Sequence, residues 1–414
     1  MKSTVLTRIT GTVLFAVLAM PTQIIAQGEQ EHKRERFPHY RVTDLGTLGG
    51  TYSYAYGLNN AGQVAGGSAT PNQTGGLFQT AFLWSKHTGI QDLGTLGGFN
   101  TGLNSAAGGP NASGEAALIS ETFMTDPNGE DFCGFGTKRQ CLGAIWKDGV
   151  MTPLSTLGGT NSQAYWVNNQ GQVVGFAENQ RKEKKGYCLT PSQILDFEAV
   201  IWEPDGEIRE LPPLPGDTVA FGWGINDRGQ AIGSSGSCSN TSVPPAIPTG
   251  PHAVLWEKGG SPHDLGNLGG TTNNIANGIN NRGEVVGGAQ LKNGDIHPFL
   301  WTRETGIRDL GAFPGAIATV APCCHTINDR GEIVGFSIDA NFNMRALLWE
   351  DKVSVDLNRL IPKGSPWYLQ AAQSINDAGE IAGYGTINGE THAFLATPCH
   401  RHGDGRECCE DHDR

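Results

Sequence analysis

Short apolar runs separated by polar turn residues fill most of the chain, and three such words recur in a fixed order seven times. The first is an Asn-x-x-Gly turn between two apolar strands: Asn59/Gly62, Asn111/Gly114, Asn168/Gly171, Asn226/Gly229, Asn280/Gly283, Asn328/Gly331 and Asn376/Gly379. An Asn that opens a four-residue reversal and a Gly that closes it suit a type I turn with a left-handed glycine, so each copy predicts a hairpin. The second word is an apolar strand usually ending in Trp, at 81–84, 144–146, 199–202, 253–256, 298–301 and 346–349, with a last copy at 392–395 that lacks the Trp. A bulky aromatic at a fixed place in every unit reads as packing between units, because an indole buries so much area. The third word is Asp-Leu-Gly-x-Leu-Gly-Gly or a variant, its copies marked by Asp44, Asp92, Leu154, Leu211, Asp264, Asp309 and Asp356.

These words imply four strands per unit: one before the Asn turn, one after it, the Trp strand and the Asp-Leu strand. Turn-to-turn spacings of 52, 57, 58, 54, 48 and 48 residues fit four-stranded units whose loops vary. A single unit cannot bury its own face, so the units must stack, and the expected fold is all-β: a seven-bladed β-propeller of four-stranded repeats. An open solenoid is the competing geometry. The chain ends favour closure, since the first Asp-Leu strand precedes the first turn and the last unit stops after its third strand. The N-terminal strand joining the C-terminal blade would close the ring and leave no exposed sheet edge. The propeller is expected over 40–398.

The string from Asn328 to Gly335 (Asn-Asp-Arg-Gly-Glu-Ile-Val-Gly), Phe299-Leu300-Trp301 and His392-Ala393-Phe394 resemble the extracellular HAF repeat family, named for that last word. The resemblance covers roughly residues 40–398; the second unit, reading Asn111-Ala-Ser-Gly-Glu-Ala-Ala-Leu, departs most. It implies an exported repeat protein of bacterial type with no established activity, and it carries over no catalytic residues.

Composition supports the all-β reading and narrows the partners. Fifty-nine glycines and 22 prolines among 414 residues suit a turn-rich chain rather than one with long helices. A formal charge of -12 with no broad basic face argues against nucleic acid as a partner. Lys2 and Arg8, the apolar run 12–20 and small residues up to Ala26 have the order of a secretory signal peptide, cleaved near Ala26. Residues 27–39 then read as a charged, disordered lead-in. No later run reaches the roughly 20 apolar residues needed to span a bilayer, so no membrane span is expected.

Function is expected on one face of the disc. Alternate connections of a blade open on opposite faces, with the Asn turns on one and the loops between second and third strands on the other. Those loops are longest in units one to four, and loops on a rigid scaffold usually carry binding. Cys133 and Cys141 fall in the second loop, Cys188 in the third and Cys238 in the fourth, where an exported chain could pair Cys133 with Cys141 and Cys188 with Cys238. Cys323 and Cys324 lie on the same face, where a vicinal disulfide, ordinary thiols and other partners are equal alternatives. The tail 399–414 holds three Cys and three His but matches no zinc spacing, and Asp126, Asn128, Glu130 and Asp131 lack the full calcium-loop spacing, so neither a metal nor a cofactor is assigned. Scattered histidines such as His252, His263 and His325 show no catalytic pairing, and no nucleophile elbow or phosphate loop is present. The leading expectation is a non-catalytic binding protein for an extracellular polysaccharide or protein. A propeller hydrolase or lyase acting on glycans or esters, with a site assembled from several blades, is the alternative, and a structural envelope component a third.

Overall fold

A computed structural model describes residues 37–71, 79–182, 193–241, 250–322, 325–350 and 353–399. It is a seven-bladed β-propeller in which each blade is a four-stranded antiparallel sheet. Blade 1, for example, consists of Ser53–Leu58, Val64–Ser68, Thr80–Ser85 and Gly89–Gly94, running outward from the axis in chain order. Six blades are continuous in sequence. The seventh joins Trp367–Ile375, Ile381–Ile387 and Glu390–Pro398 to the N-terminal strand Tyr40–Asp44, which pairs Tyr40 with Pro398 and Asp44 with Phe394. The expected closure is therefore the one observed.

Closure extends just beyond that strand. Phe37, which the sequence reading placed in the disordered lead-in, is buried among Leu357, Leu360 and Trp367. Cys399 donates its N–H to the His39 carbonyl at 2.7 Å and is disulfide-bonded.

The tryptophans of the second word are core, as their spacing predicts. Trp84, Trp146, Trp202, Trp256, Trp301 and Trp349 are all buried, and two carry their polar edge across a blade boundary. The indole of Trp202 donates to the Ser155 carbonyl at 3.0 Å and that of Trp256 to the Pro212 carbonyl at 2.7 Å. Each burial contributes about 2–3 kcal/mol, and the indole hydrogen bonds avoid leaving a donor unpaired.

The Asn turns do more than reverse the chain. Each closing glycine has positive φ, from 74° at Gly62 to 84° at Gly331, as the turn demands. Each Asn caps its own turn through Oδ1; that of Asn59 accepts from the amides of Ala61 and Gln63 at 3.0 and 2.9 Å. Its Nδ2 reaches into the next blade. Asn59 donates to the Asn111 carbonyl, Asn111 to Asn168, Asn168 to Asn226, Asn226 to Asn280, Asn280 to Asn328, Asn328 to Asn376, and Asn376 back to Asn59, at 2.7–3.2 Å throughout. The result is a closed ring of buried amides that ties all seven blades around the axis.

Candidate functional site

The two faces of the disc present different chemistry. On the turn face, the residue after each ring Asn lines a well on the axis: Asn60, Ala112, Asn169, Asp227, Asn281, Asp329 and Asp377. Most of these side chains are engaged with the neighbouring blade. Oδ1 of Asp227 accepts the Asn169 amide at 2.8 Å, that of Asp329 the Asn281 amide at 2.7 Å, and that of Asp377 the Asp329 amide at 2.8 Å. Asn60, Asn169 and Asn281 accept from Asp377, Ala112 and Asp227 in the same way. Only Ala112 lacks the acceptor, so this second circlet is open at one joint.

The well is shallow because two rings close its floor. Trp166 of blade 3 and His325 of blade 6, which stand on opposite sides of a seven-membered ring, stack with centroids 4.9 Å apart and planes 4° from parallel. Other innermost strands carry Gly at the position of Trp166, as at Gly57, Gly109, Gly224 and Gly278. Gly109 is needed there: a Cβ on it would lie 1.9 Å from the Trp166 ring. Nδ1 of His325 is 3.0 Å from the Ile375 carbonyl, which can only accept, so Nδ1 carries the proton. Burial pushes this imidazole below its ordinary pKa, against the opposing pull of Asp377, Asp329 and Asp227.

The loop face is where apolar surface is left uncovered. Of the large hydrophobics exposed among the described residues, Phe99, Phe123, Met124, Ile296, Ile317, Phe342 and Tyr368 all lie at connections or strand ends on this face, and Val150 alone lies on the other. Phe342 is the extreme case, 79% exposed. Its φ is 62°, in the left-handed region where a bulky residue is strained and Gly would be free of strain. The position closes the turn that Asp339 caps, where the other hairpins of this geometry place Gly.

The second of the long loops is built into this face. Cys133 and Cys141 form the expected disulfide, with their Cα atoms 5.8 Å apart. Between them and the preceding strand, Phe132 inserts into the core of blades 3 and 4, its ring 5.3 Å from Phe176, while its carbonyl accepts from Gln163. The oxygens of Asp126, Glu130 and Asp131, weighed above as calcium ligands, point elsewhere. Asp126 accepts the amides of Asn128 and Glu130 and the Nδ2 of Asn161; Glu130 accepts the amides of Ile194 and Leu195; Asp131 accepts the amide of Gly136. Among the described residues no group of three His, Cys, Asp or Glu side chains is placed to hold a metal ion.

Buried carboxyls accompany that loop. Glu178 and Glu130 are fully buried. Burial pushes Glu178 up to about 8, with Glu130 and then Asp126 adding repulsion, and raises Glu130 as well. Glu198, on the next strand, is pushed up to about 7 by burial, against the pull of Arg181. None of the fully enclosed pair is placed to touch a substrate; they join elements to one another.

The remaining sequence candidates fall as follows. Cys238 is disulfide-bonded, whereas Cys188, Cys323, Cys324 and the tail beyond Cys399 lie outside the described residues. The sequence showed no catalytic pairing for the histidines; the structure sets three of them beside an acid. Nδ1 of His252 is 3.4 Å from Asp264, that of His297 is 3.0 Å from Asp309, and that of His392 is 3.0 Å from Asp44. The His opening the Trp strand thus meets the Asp of the Asp-Leu word on the adjacent strand. Both words were visible in sequence; only the strand register brings them together. His263 instead tilts against Trp301 at 5.7 Å.

No family model matches the chain, and no curated protein matches it in sequence. Among solved structures it is similar to puromycin hydrolase, at 14% identity and a TM-score of 0.50 over 88% of this chain and 58% of that one. It is also similar to the β-propeller domain of the trilobed protease of Pyrococcus furiosus (10% identity, TM-score 0.49, 87% of this chain and 100% of that one). The acylaminoacyl peptidase of Pyrococcus horikoshii gives 11% identity and a TM-score of 0.49, over 87% of this chain and 53% of that one. The chain therefore spans little more than half of the hydrolase and of the acylaminoacyl peptidase. At these identities the likeness is one of fold.

Proposed function

We propose that the chain is an exported binding protein of the HAF repeat type, which holds an extracellular polysaccharide or protein on its loop face. The observation that carries this reading is the segregation of exposed aromatic and aliphatic side chains to that face, Phe342 in strained backbone among them. Exposed apolar side chains gathered on one face suit an interaction surface, and aromatic rings serve both protein partners and the apolar faces of sugar rings. The turn face supports the same division, because its polar groups hold blade to blade and its well is floored by Trp166 and His325. Export is supported by the N-terminal sequence and by the Cys133–Cys141 disulfide.

A hydrolase is the second reading, supported by the fold shared with puromycin hydrolase. One experiment separates the two: purified residues 27–414 screened against immobilised glycans and proteins and, in parallel, against a panel of ester, peptide and glycoside substrates. Selective binding without turnover supports the first reading; turnover that follows the protein through purification replaces it with the second.

A further inference from the structure

We propose that the blade 2 loop 126–132 is a pH-released latch, held on blade 3 by a carboxyl cluster of Asp126, Glu130 and Glu178 that stays closed while it keeps a proton. The cluster spans two blades and works through shared donors. Gln193 of blade 3 places Nε2 2.8 Å from Oε1 of Glu178 and 3.4 Å from Oε1 of Glu130, so one amide bridges both glutamates. Asn161 does the same for the other pair, with Nδ2 2.8 Å from Asp126 and 3.0 Å from Glu178. Glu130 also takes the amides of Ile194 at 2.6 Å and Leu195 at 2.8 Å, at the foot of the blade 3 strand Leu195–Trp202.

Among the described residues no cation faces this cluster. Glu178 faces Glu130 and Asp126 of the blade 2 loop, and its remaining partners are Nε2 of Gln193, the backbone amide of Thr160, and the backbone amide and Nδ2 of Asn161. Arg181 on the same strand is paired with Glu198, whose other charged neighbours are Glu210 and Asp196. Three carboxyls meeting around two amides in a buried place resist full ionisation, and burial raises both glutamates accordingly. Because the folded state holds the proton more tightly than the free loop does, the closed form is favoured at low pH. That preference disappears as pH rises through the range where the cluster ionises. Release is local: the Cys133–Cys141 disulfide fixes the far end of the loop, and Phe132 is the apolar anchor that must withdraw.

Hydrogen exchange of residues 27–414 between pH 6 and 9.5, corrected for intrinsic rates, reads the loop itself rather than any ligand. Protection in peptides covering 126–132 and 193–196 is expected to fall about tenfold per pH unit up to the cluster's titration, the slope of a single linked proton, and to level off above it. Glu178→Gln is expected to make that protection independent of pH, and Glu198→Gln to leave the dependence intact. Constant protection in the native chain, or an unchanged dependence in Glu178→Gln, overturns the proposal. If Glu178→Gln does not fold, carbon-13 NMR of the native glutamate carboxyls decides: a cluster titrating in the ordinary carboxylate range overturns the proposal, and one titrating near neutrality or above supports it.

Discussion

The two faces of this disc are made from the same seven repeats, yet one is nearly uniform and the other is not. On the turn face every blade supplies the same Asn, each capping its own turn and donating to the next blade, so each copy is constrained by both neighbours. On the loop face the connections bond mainly within their own blade or to one neighbour, and they differ in length, charge and exposed aromatics. A ring of identical contacts is a device for closing a propeller; a face freed from that duty can vary and carry recognition. The contrast also explains why the axial well, despite three carboxylates, reads as structure: its oxygens already accept backbone amides of the adjoining turns.

The largest expected effect tests the uniform face. Asn226→Asp keeps the turn cap but removes the Nδ2 that donates to the Asn280 carbonyl at 3.0 Å, setting a buried carboxylate against acceptors. It is expected to cost about 3 kcal/mol in urea unfolding while leaving ligand binding by the folded fraction unchanged. Next is the loop face's staple. Cys133→Ser with Cys141→Ser opens a loop closed over a separation of 8 residues and is expected to cost about 2.5 kcal/mol. Smaller is the pH dependence at Glu198, raised to about 7. A raised carboxyl contributes stability that is complete below its unfolded value and lost as pH rises through its folded one. Glu198→Gln is therefore expected to flatten the fall in unfolding free energy between pH 5 and 8 by about 1 kcal/mol, the side chain being partly solvent-screened. The smallest effect has the opposite sign: Phe342→Gly relieves left-handed strain and is expected to stabilise the fold by up to about 1 kcal/mol while weakening ligand capture.

Much of this architecture was legible in the residues. The Asn-x-x-Gly words gave the hairpins, the Trp words the packing between blades, and the displaced Asp-Leu strand at Tyr40–Asp44 the closure. What stayed hidden depends on register across strands or blades. The Nδ2 ring requires neighbouring turns at the same height, the His392–Asp44 pair requires residues from the two ends of the chain side by side, and the Trp166–His325 stack joins blades that never touch in sequence. The carboxyl cluster stayed hidden for a related reason: Asp126 and Glu130 could be weighed only against a calcium-loop spacing that they lack, because their partners Asn161, Gln193 and Glu178 lie in the next blade. Loop length pointed to the long connections of units one to four but not to these side chains: Ile296, Ile317, Phe342 and Tyr368 belong to units five to seven, and exposure of an aromatic cannot be read from its identity.

The central claim is that recognition belongs to the loop face, and paired surface variants test it most directly. Phe99→Ser with Phe123→Ser alters the loop face, while Asp227→Asn, Asp329→Asn and Asp377→Asn together remove the charge of the axial well yet keep each Oδ1 acceptor. Both proteins would be taken through the same glycan and protein binding screen beside the native chain. Capture lost in the first and retained in the second is the predicted result; capture retained in the first and lost in the second would contradict the account and move the binding site to the axis.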